Sequence, residues 1–414
     1  MNQRSDPRHG APPLRYLLAV PWELAHPGGV NQVVRNLSDR LSERGSVRPW
    51  ILVKSWDGSR SRPGRTGGRR TLRMRLREPF PLAGGRRARL LAWLVLPARA
   101  LRLGWWLRRR RVAVVNAHYP GLWLLPVAVA GFLGIWPGRL LLSLHGQDLR
   151  DARQWSGLQR RLWVWLCARS AAITACSEAL AEEIRADLPG LADRVRAVPN
   201  GVDPARVRAA AEAPPRSARP YIACVATYEH KKGQDVLLGA FARLAGDYPE
   251  LDLVLAGRRA ECWDVFQGLA TGLGLGERVR FLAGLEHGAA LGVIREARLF
   301  VLPSRYEPFG IVLLEAGVLG VPVVASRVGG IPQVVRDRVD GLLVPPGDPA
   351  ALEAALRDLL EDPERARLLA RSLKRRVAAE FSWERAADRY LALAGVASAG
   401  PAPADAGPVH WRGT

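Results

Sequence analysis

The chain has 414 residues, 48% hydrophobic and 24% charged, with a net charge of +22. It is long enough for two domains that each bury a core. Its four cysteines (Cys167, Cys176, Cys224 and Cys262) show no C-x-x-C or metal-ligand spacing, which argues against a disulfide framework and suits a reducing compartment, by default the cytoplasm.

The N-terminus is polar and proline-rich and lacks the apolar core of a signal peptide. The longest apolar run, Leu122 to Trp136, is broken by Pro126, Gly131 and Gly134. It falls short of the roughly 20 residues needed to span a bilayer and reads as a buried helix. The charge is uneven: Arg60 to Arg111 holds seventeen arginines against one acidic residue, Glu78. Such a field seeks a polyanion. Trp93, Trp105 and Trp106 lie among these arginines beside the apolar Leu90 to Leu96, a mixture suited to an anionic membrane surface. A nucleic-acid binder would need aromatic platforms at regular spacing or a helix-turn-helix pattern, and neither is visible.

In chain order, Leu14 to Val20 reads as a first strand ending at Pro21-Trp22. His26-Pro-Gly-Gly29 then leads into Val30, Val33, Val34, Leu37 and Leu41, an apolar face at helical spacing. Gly28 and Gly29 therefore sit where a strand hands over to a helix, the place for a close-approach loop in a doubly wound sheet. Ile51 to Val53 is a second strand, Arg60 to Arg89 a long basic loop, and Leu90 to Leu107 a helix despite Pro97. Val112 to Asn116 and Leu140 to Leu144 are strands whose tips deliver His118 and His145-Gly-Gln-Asp148. A helix over Arg160 to Arg169, a strand over Ala171 to Ala175 and a helix from Ser177 to Asp187, capped by Ser177, follow. The turn Pro199-Asn-Gly-Val-Asp203 closes a first domain, 14–203, and residues 204–219 read as a linker.

The second domain, 220–380, opens with a strand at Tyr221 to Val225, then Thr227-Tyr-Glu-His-Lys-Lys-Gly233 and a helix beginning near Val236. A glycine-terminated basic loop before a helix cradles phosphate. Only four of the sixty-one basic residues are lysines, and Lys231 and Lys232 are two of them. A compact ammonium suits a point contact with a diphosphate where a wide guanidinium does not fit. Further strands at Leu251 to Ala256, Val279 to Leu282 and Leu299 to Leu302 lead to Pro303-Ser-Arg-Tyr-Glu-Pro-Phe-Gly-Ile-Val-Leu-Leu-Glu-Ala-Gly317.

Here Glu307 precedes a helix entrance made by Pro308 and Gly310, and Glu315, eight positions on, lies inside an apolar helix. An acid at the entrance could merely complement the helix dipole. Glu315, surrounded by Ile311, Val312, Leu313, Leu314 and Ala316, must be paired or face a polar cleft. Free N–H groups at the entrance form an anion site. Two carboxylates flanking a phosphate-sized pocket fit a ligand with hydroxyls at both ends, that is, a nucleotide sugar. Strands at Val321 to Ala325 and Leu342 to Val344, helices over 350–378 and a last helix opened by Ser382 complete an α/β pattern with a mainly parallel sheet in each half. The tail from Ala397 is rich in small residues and proline.

The Glu307 to Glu315 segment resembles the E-x7-E motif of the retaining glycosyltransferases called family 4, and the resemblance spans residues 14–396. It implies the GT-B fold: two Rossmann-like doubly wound domains with a cleft between them, and a C-terminal helix, 381–396, crossing back to the first. It implies transfer of a sugar from a UDP- or GDP-linked donor to a hydroxyl of a glycan or lipid-linked acceptor, with retention and without a metal or other cofactor. By the same resemblance His145, Lys232 and Glu307 are catalytic. Gly29, Thr227, Lys232, Arg258, Glu307, Phe309, Gly310, Ile311 and Glu315 bind the donor, and Gly28, His118 and Asp148 lie on the acceptor side. His118 also reads as a packing residue. One departure stands out, because members commonly carry Gly-Arg where Ala226-Thr227 stands here. Arg258 is the expected substitute for that arginine. Its absence also leaves open an inactive donor-binding scaffold or regulatory subunit at the membrane surface.

Overall fold

The computed structural model describes residues 13–24, 28–54, 62–74, 76, 93–211 and 219–396. His26, Pro27, residues 77–92 of the basic stretch and the tail from Ala397 lie outside the described residues. Two sheets organise the chain. The first contains β1 (Leu14–Val20), β2 (Val47–Lys54), β3 (Arg62–Thr66), β4 (Arg69–Met74), β5 (Val112–His118), β6 (Arg139–Leu144), β7 (Ala172–Ala175) and β8 (Val195–Ala197) in the order β3-β4-β2-β1-β5-β6-β7-β8. The second contains β9 (Tyr221–Val225), β10 (Asp252–Gly257), β11 (Val279–Ala283), β12 (Leu299–Leu302), β13 (Val323–Ser326) and β14 (Leu342–Val344) in the order β11-β10-β9-β12-β13-β14. All pairs are parallel except β3 with β4.

The parallel strands are almost continuously apolar, as strands covered on both faces must be. Tyr16 to Val20, Leu140 to Leu142 and Ile222 to Cys224 are all enclosed. In each sheet the chain order reverses beside the first strand, between β1 and β5 and between β9 and β12. Ligands of open α/β sheets bind beyond the strand ends at such reversals. The loops after β9 and β12 carry Lys232 and Glu307, and the tip of β5 carries His118.

The structure departs from the sequence reading in four places. Residues 62–74 form a hairpin where a basic loop was expected. Gly67 and Gly68 have φ of 56° and 79°, the positive values that a two-residue hairpin turn of type I′ requires. The helix expected over Leu90 to Leu107 is interrupted at Val95: Trp93 and Leu94 are helical, residues 90–92 lie outside the described residues, and a helix runs from Leu96 to Arg109 with Pro97 in its first turn, where a missing N–H costs nothing. The segment expected as a linker holds a helix, Pro204–Ala210, capped by Asp203, which accepts from Arg206 N–H at 3.0 Å. The central helix begins at Ile311, so Pro308 lies three residues before it and the capping position belongs to Gly310, φ 90°.

The last helix, Trp383–Leu393, leaves the second half of the chain and packs on the first sheet. Trp383, Ala387, Tyr390 and Leu391 share one core cluster with Tyr16, Leu18, Val34 and Leu37. Ser382 caps it by accepting from Arg385 N–H, and Val202 donates to the Phe381 carbonyl at 3.0 Å beside the crossing point.

Candidate active site

The loop after β9 turns through Gly233, whose φ of 67° places its backbone against the Pro303 carbonyl. A side chain there would stand 2.1 Å from that oxygen. This packing joins the two loops and sets Lys232 against the Glu307 carboxylate, Nζ donating to Oε2 at 2.8 Å. Gly329 and Gly330 hold the loop from the other side, with Gly330 N–H donating to the Glu307 carbonyl at 2.9 Å. Burial disfavours the Lys232 ammonium, but the Glu307 charge and hydrogen bond outweigh it and raise its pKa above the ordinary lysine value. Lys231 pairs in the same way with Glu229, at 2.9 Å.

These groups face a cleft of about 290 Å³ lined from the second half by Glu229, Lys231, Lys232, Tyr306, Glu307, Pro308, Phe309, Gly310 and Ile311. Gly29, Val30, Val33, His145, Gln147, Cys176 and Asn200 line it from the first half. Gly146, at φ 106°, brings the His145 loop against Pro308 and Tyr306. Cys176 Sγ donates to the Pro308 carbonyl at 3.7 Å, and the Arg150 guanidinium lies 3.4 Å from the Tyr306 ring centre. Burial pushes the His145 pKa down to about 4, so its imidazole is neutral at pH 7. Asp148 is buried and accepts from the backbone N–H groups of His145, Gly146 and Leu149. Burial nevertheless raises its pKa to about 7. It shapes the His145 turn and does not line the cleft.

Gly29, His145, Lys232, Glu307, Phe309, Gly310 and Ile311 thus converge on one cleft. Glu315 lies beside it, 5% exposed, and accepts from Gln32 Nε2 at 2.8 Å across the two halves, with His287 Nε2 at 3.5 Å. Its pKa is raised, chiefly by burial and against the opposing pull of His287 and Gln32. Gln32 and His287 both line a second cavity, of about 400 Å³. His118 stands behind His145, Nδ1 to Nε2 at 3.1 Å. Thr227 and Arg258 are not brought to the cleft lining. The Thr227 carbonyl accepts from Gln234 Nε2, and Arg258 is exposed. Among the cations brought to the cleft, Lys231 is the second beside Lys232.

Sequence reasoning missed the partners that come from other elements, Gln32, His287, Cys176 and Asn200. It also missed Trp22, Tyr119 and Asp151 near the histidines. Tyr119 has φ 58°, donates to Asp151 Oδ2 at 2.8 Å and packs edge-on against Trp22, with ring centres 4.8 Å apart. A bulky residue at positive φ is an outlier that clusters at functional sites. Nothing in a single sequence signals it.

Paired doubly wound sheets, with a basic loop and a carboxylate-bearing helix entrance facing a histidine loop across the cleft, define a nucleotide-sugar glycosyltransferase of the GT-B class. The sequence matches Glycosyltransferase Family 4 over residues 27–206 and Glycosyl transferases group 1 over residues 208–376. It is 31% identical over 284 residues to a glycogen synthase of Mycobacterium tuberculosis, covering 67% of each chain. It is 40% identical over 172 residues to D-inositol 3-phosphate glycosyltransferase 1 of Catenulispora acidiphila, covering 39% of this chain and 40% of that one. In fold it is similar to sucrose-phosphate synthase from Thermosynechococcus elongatus, with TM-score 0.71 and 24% identity over 92% of this chain and 98% of that one. The chain belongs to the family 4 type of GT-B glycosyltransferases and is an enzyme that transfers a sugar from a nucleotide sugar.

Proposed function

We propose that the enzyme transfers a hexosyl group from a UDP- or GDP-linked donor to a hydroxyl of a glycan or lipid-linked acceptor, with retention of anomeric configuration and without a metal. The observation that carries this reading is the Lys232–Glu307 pair at the Gly310 helix entrance, opposite His145. Negative charge develops on the departing nucleoside diphosphate as the glycosidic bond breaks. Lys232, Lys231 and the helix entrance supply positive charge at that place. Glu307, oriented by Lys232, accepts from hydroxyls of the transferred sugar, and Glu315 accepts from the ribose. His145 belongs to the acceptor side of the cleft, with Asp148 shaping its turn, His118 standing behind it and Gly28 preceding the Gly29 helix entrance.

Retention is supported by the condition of the carboxylates. Both that line the cleft, Glu229 and Glu307, are paired with lysines, and His145, with its pKa near 4, is a weak base at pH 7. The acceptor proton then passes to the leaving diphosphate on the face from which it departs. Nucleotide release and product NMR, with UDP- and GDP-hexoses supplied to glycan and lipid-linked acceptors, test the proposal. A product of inverted configuration, or activity abolished by a chelator and restored by a divalent cation, would overturn the corresponding part.

A lipid-linked acceptor would be met on an anionic membrane by a cytoplasmic enzyme peripheral to that surface. No helix among the described residues is long and apolar enough to cross a membrane. The helix Leu96–Arg109 buries Ala100, Leu103, Gly104 and Leu107 and leaves Leu101 and Trp105 exposed, as is Leu94 just before the helix. Gly104 packs on Ala130 of the helix Leu125–Phe132, which ends at the exposed Phe132 and Leu133. Arg109 lies 5.1 Å from the Trp105 ring centre. An apolar face among arginines suits lipid headgroups and acyl boundaries. Binding to liposomes should rise with anionic lipid, fall with salt and weaken for Leu101→Ser/Trp105→Ser. Equal binding to neutral and anionic vesicles would sink this part, and preferential capture of duplex DNA at physiological salt would replace it.

A further inference from the structure

His145 meets the cleft, whereas His118, at the tip of β5, is 0% exposed behind it. Their rings stack at 27° with centres 5.4 Å apart, and His118 Nδ1 stands 3.1 Å from His145 Nε2. Burial keeps both imidazoles neutral at pH 7. One nitrogen of this contact therefore carries a proton and the other a lone pair.

The surroundings decide which. No group among the described residues reaches the enclosed His118 Nε2. The polar side chains beneath it are engaged with one another. Asn116 donates to the Tyr16 hydroxyl and accepts from Ser143, Ser143 accepts from Thr174, and Tyr390 is bonded to Ser143 and Thr174. The Asp148 carboxylate, which could have oriented His145, is taken up by backbone N–H groups. A proton on His118 Nε2 would be a buried donor without an acceptor, a rarer and costlier state than a bare acceptor nitrogen. The proton accordingly belongs on His118 Nδ1, which donates to His145 Nε2.

We propose that His118 is a positioning residue that fixes His145 as its Nδ1–H tautomer, so that His145 offers a hydrogen-bond donor to a sugar oxygen in the cleft. This rests on the reading above that His145 faces a sugar. In this tautomer His145 recognises an oxygen and takes no proton from the acceptor. The arrangement does the work that a carboxylate does behind many functional histidines, with a second imidazole donating from behind.

The test is the tautomer itself, read from long-range proton–nitrogen NMR spectra of the full-length protein labelled at histidine nitrogen. In wild type, His145 Nδ1 should carry the proton and Nε2 should not. His118→Asn keeps a side-chain N–H near the position of imidazole Nδ1 and should preserve that pattern. His118→Leu should shift His145 toward a mixture of tautomers and lower kcat about 10-fold, in the range of lost supporting hydrogen bonds. Its nucleoside diphosphate affinity should change by less than about twofold, since the nucleotide is held from the other half. A wild-type His145 protonated on Nε2, or a folded His118→Leu protein with an unchanged His145 spectrum, overturns the proposal. Should His118→Leu fail to fold, the wild-type and His118→Asn spectra still decide. The expected spectra with kcat unchanged in His118→Leu would uphold the tautomer assignment and defeat instead the reading that His145 faces a sugar.

Discussion

At the scale of the residue, the proposed donor chemistry turns on Lys232. In the free protein its ammonium is 2.8 Å from Glu307 and largely enclosed, so the pair is held ready and little reorganisation is needed as the leaving group charges. Lys232→Ala should lower kcat on the order of 10²-fold, as losing one preorganised charge-stabilising group does. It should weaken ground-state nucleotide binding far less. Stopped-assay kinetics beside calorimetric titration with nucleoside diphosphate separate the two effects. Equal losses in both would mean that Lys232 only binds. Since each partner orients the other, Lys232→Ala/Glu307→Ala should cost less than the sum of the single changes.

His145 gives a prediction in pH. Its pKa is about 4 in the folded protein against an ordinary 6.5. Between those values the unfolded chain binds a proton that the folded one refuses. The stability it contributes is therefore full above pH 6.5 and lost as pH falls through about 4. Asp148 has the opposite sign: with its pKa raised to about 7, its contribution is full below pH 3.8 and lost as pH rises through 7. Urea unfolding between pH 4 and 6.5 should rise in midpoint less steeply for His145→Asn than for wild type. A parallel pair of curves would show that His145 is not held neutral.

At the scale of the element, the loops are fixed by glycines whose neighbours are far away in sequence. Gly233→Ala would place a Cβ 2.1 Å from the Pro303 carbonyl at a φ of 67°, so the β9 and β12 loops would have to separate. A strained positive φ costs about 1 kcal/mol or more before the clash is counted. Thermal unfolding should show a clear loss of several degrees. Turnover should fall further than stability, because Lys232 is the preceding residue; an unchanged melting temperature would contradict this packing. Much of this architecture was legible. The apolar runs placed the parallel strands, and the helical spacing after Gly29 and Gly233 placed the helices behind them. The hairpin 62–74 was not legible, although Gly67-Gly68 carried its turn signal, because arginines interrupt the strand alternation and the stretch reads as charge. The Glu307 and Glu315 positions were legible from their own sequence. Their partners were less so: Gln32 lies 283 residues from Glu315, a separation at which periodicity says nothing.

At the scale of the whole molecule, the two halves are joined by more than the chain. The last helix carries Trp383 and Tyr390 into the first core, and Gln32 reaches across to Glu315. That second link occupies the carboxylate assigned to the donor ribose. A buried carboxylate with a raised pKa needs a donor, and Gln32 is one such donor. Both recorded contacts fall on Glu315 Oε1, and the prediction is that a ribose hydroxyl takes the place of Gln32 there, so that binding exchanges one hydrogen bond for another and relaxes the link between the halves. Gln32→Ala removes the competitor. It should tighten nucleoside diphosphate by up to about fivefold, the equivalent of about 1 kcal/mol for one hydrogen bond. Glu315→Ala removes the acceptor and should weaken binding by about 1–3 kcal/mol, the range for a charge-assisted contact. In the Glu315→Ala background, Gln32→Ala should then change affinity little, because there is no carboxylate left to compete for. Isothermal titration of the four proteins decides between this exchange and its rival. If Gln32→Ala weakens binding in both backgrounds, Gln32 contacts the nucleotide directly and the two halves close onto it without giving up their link.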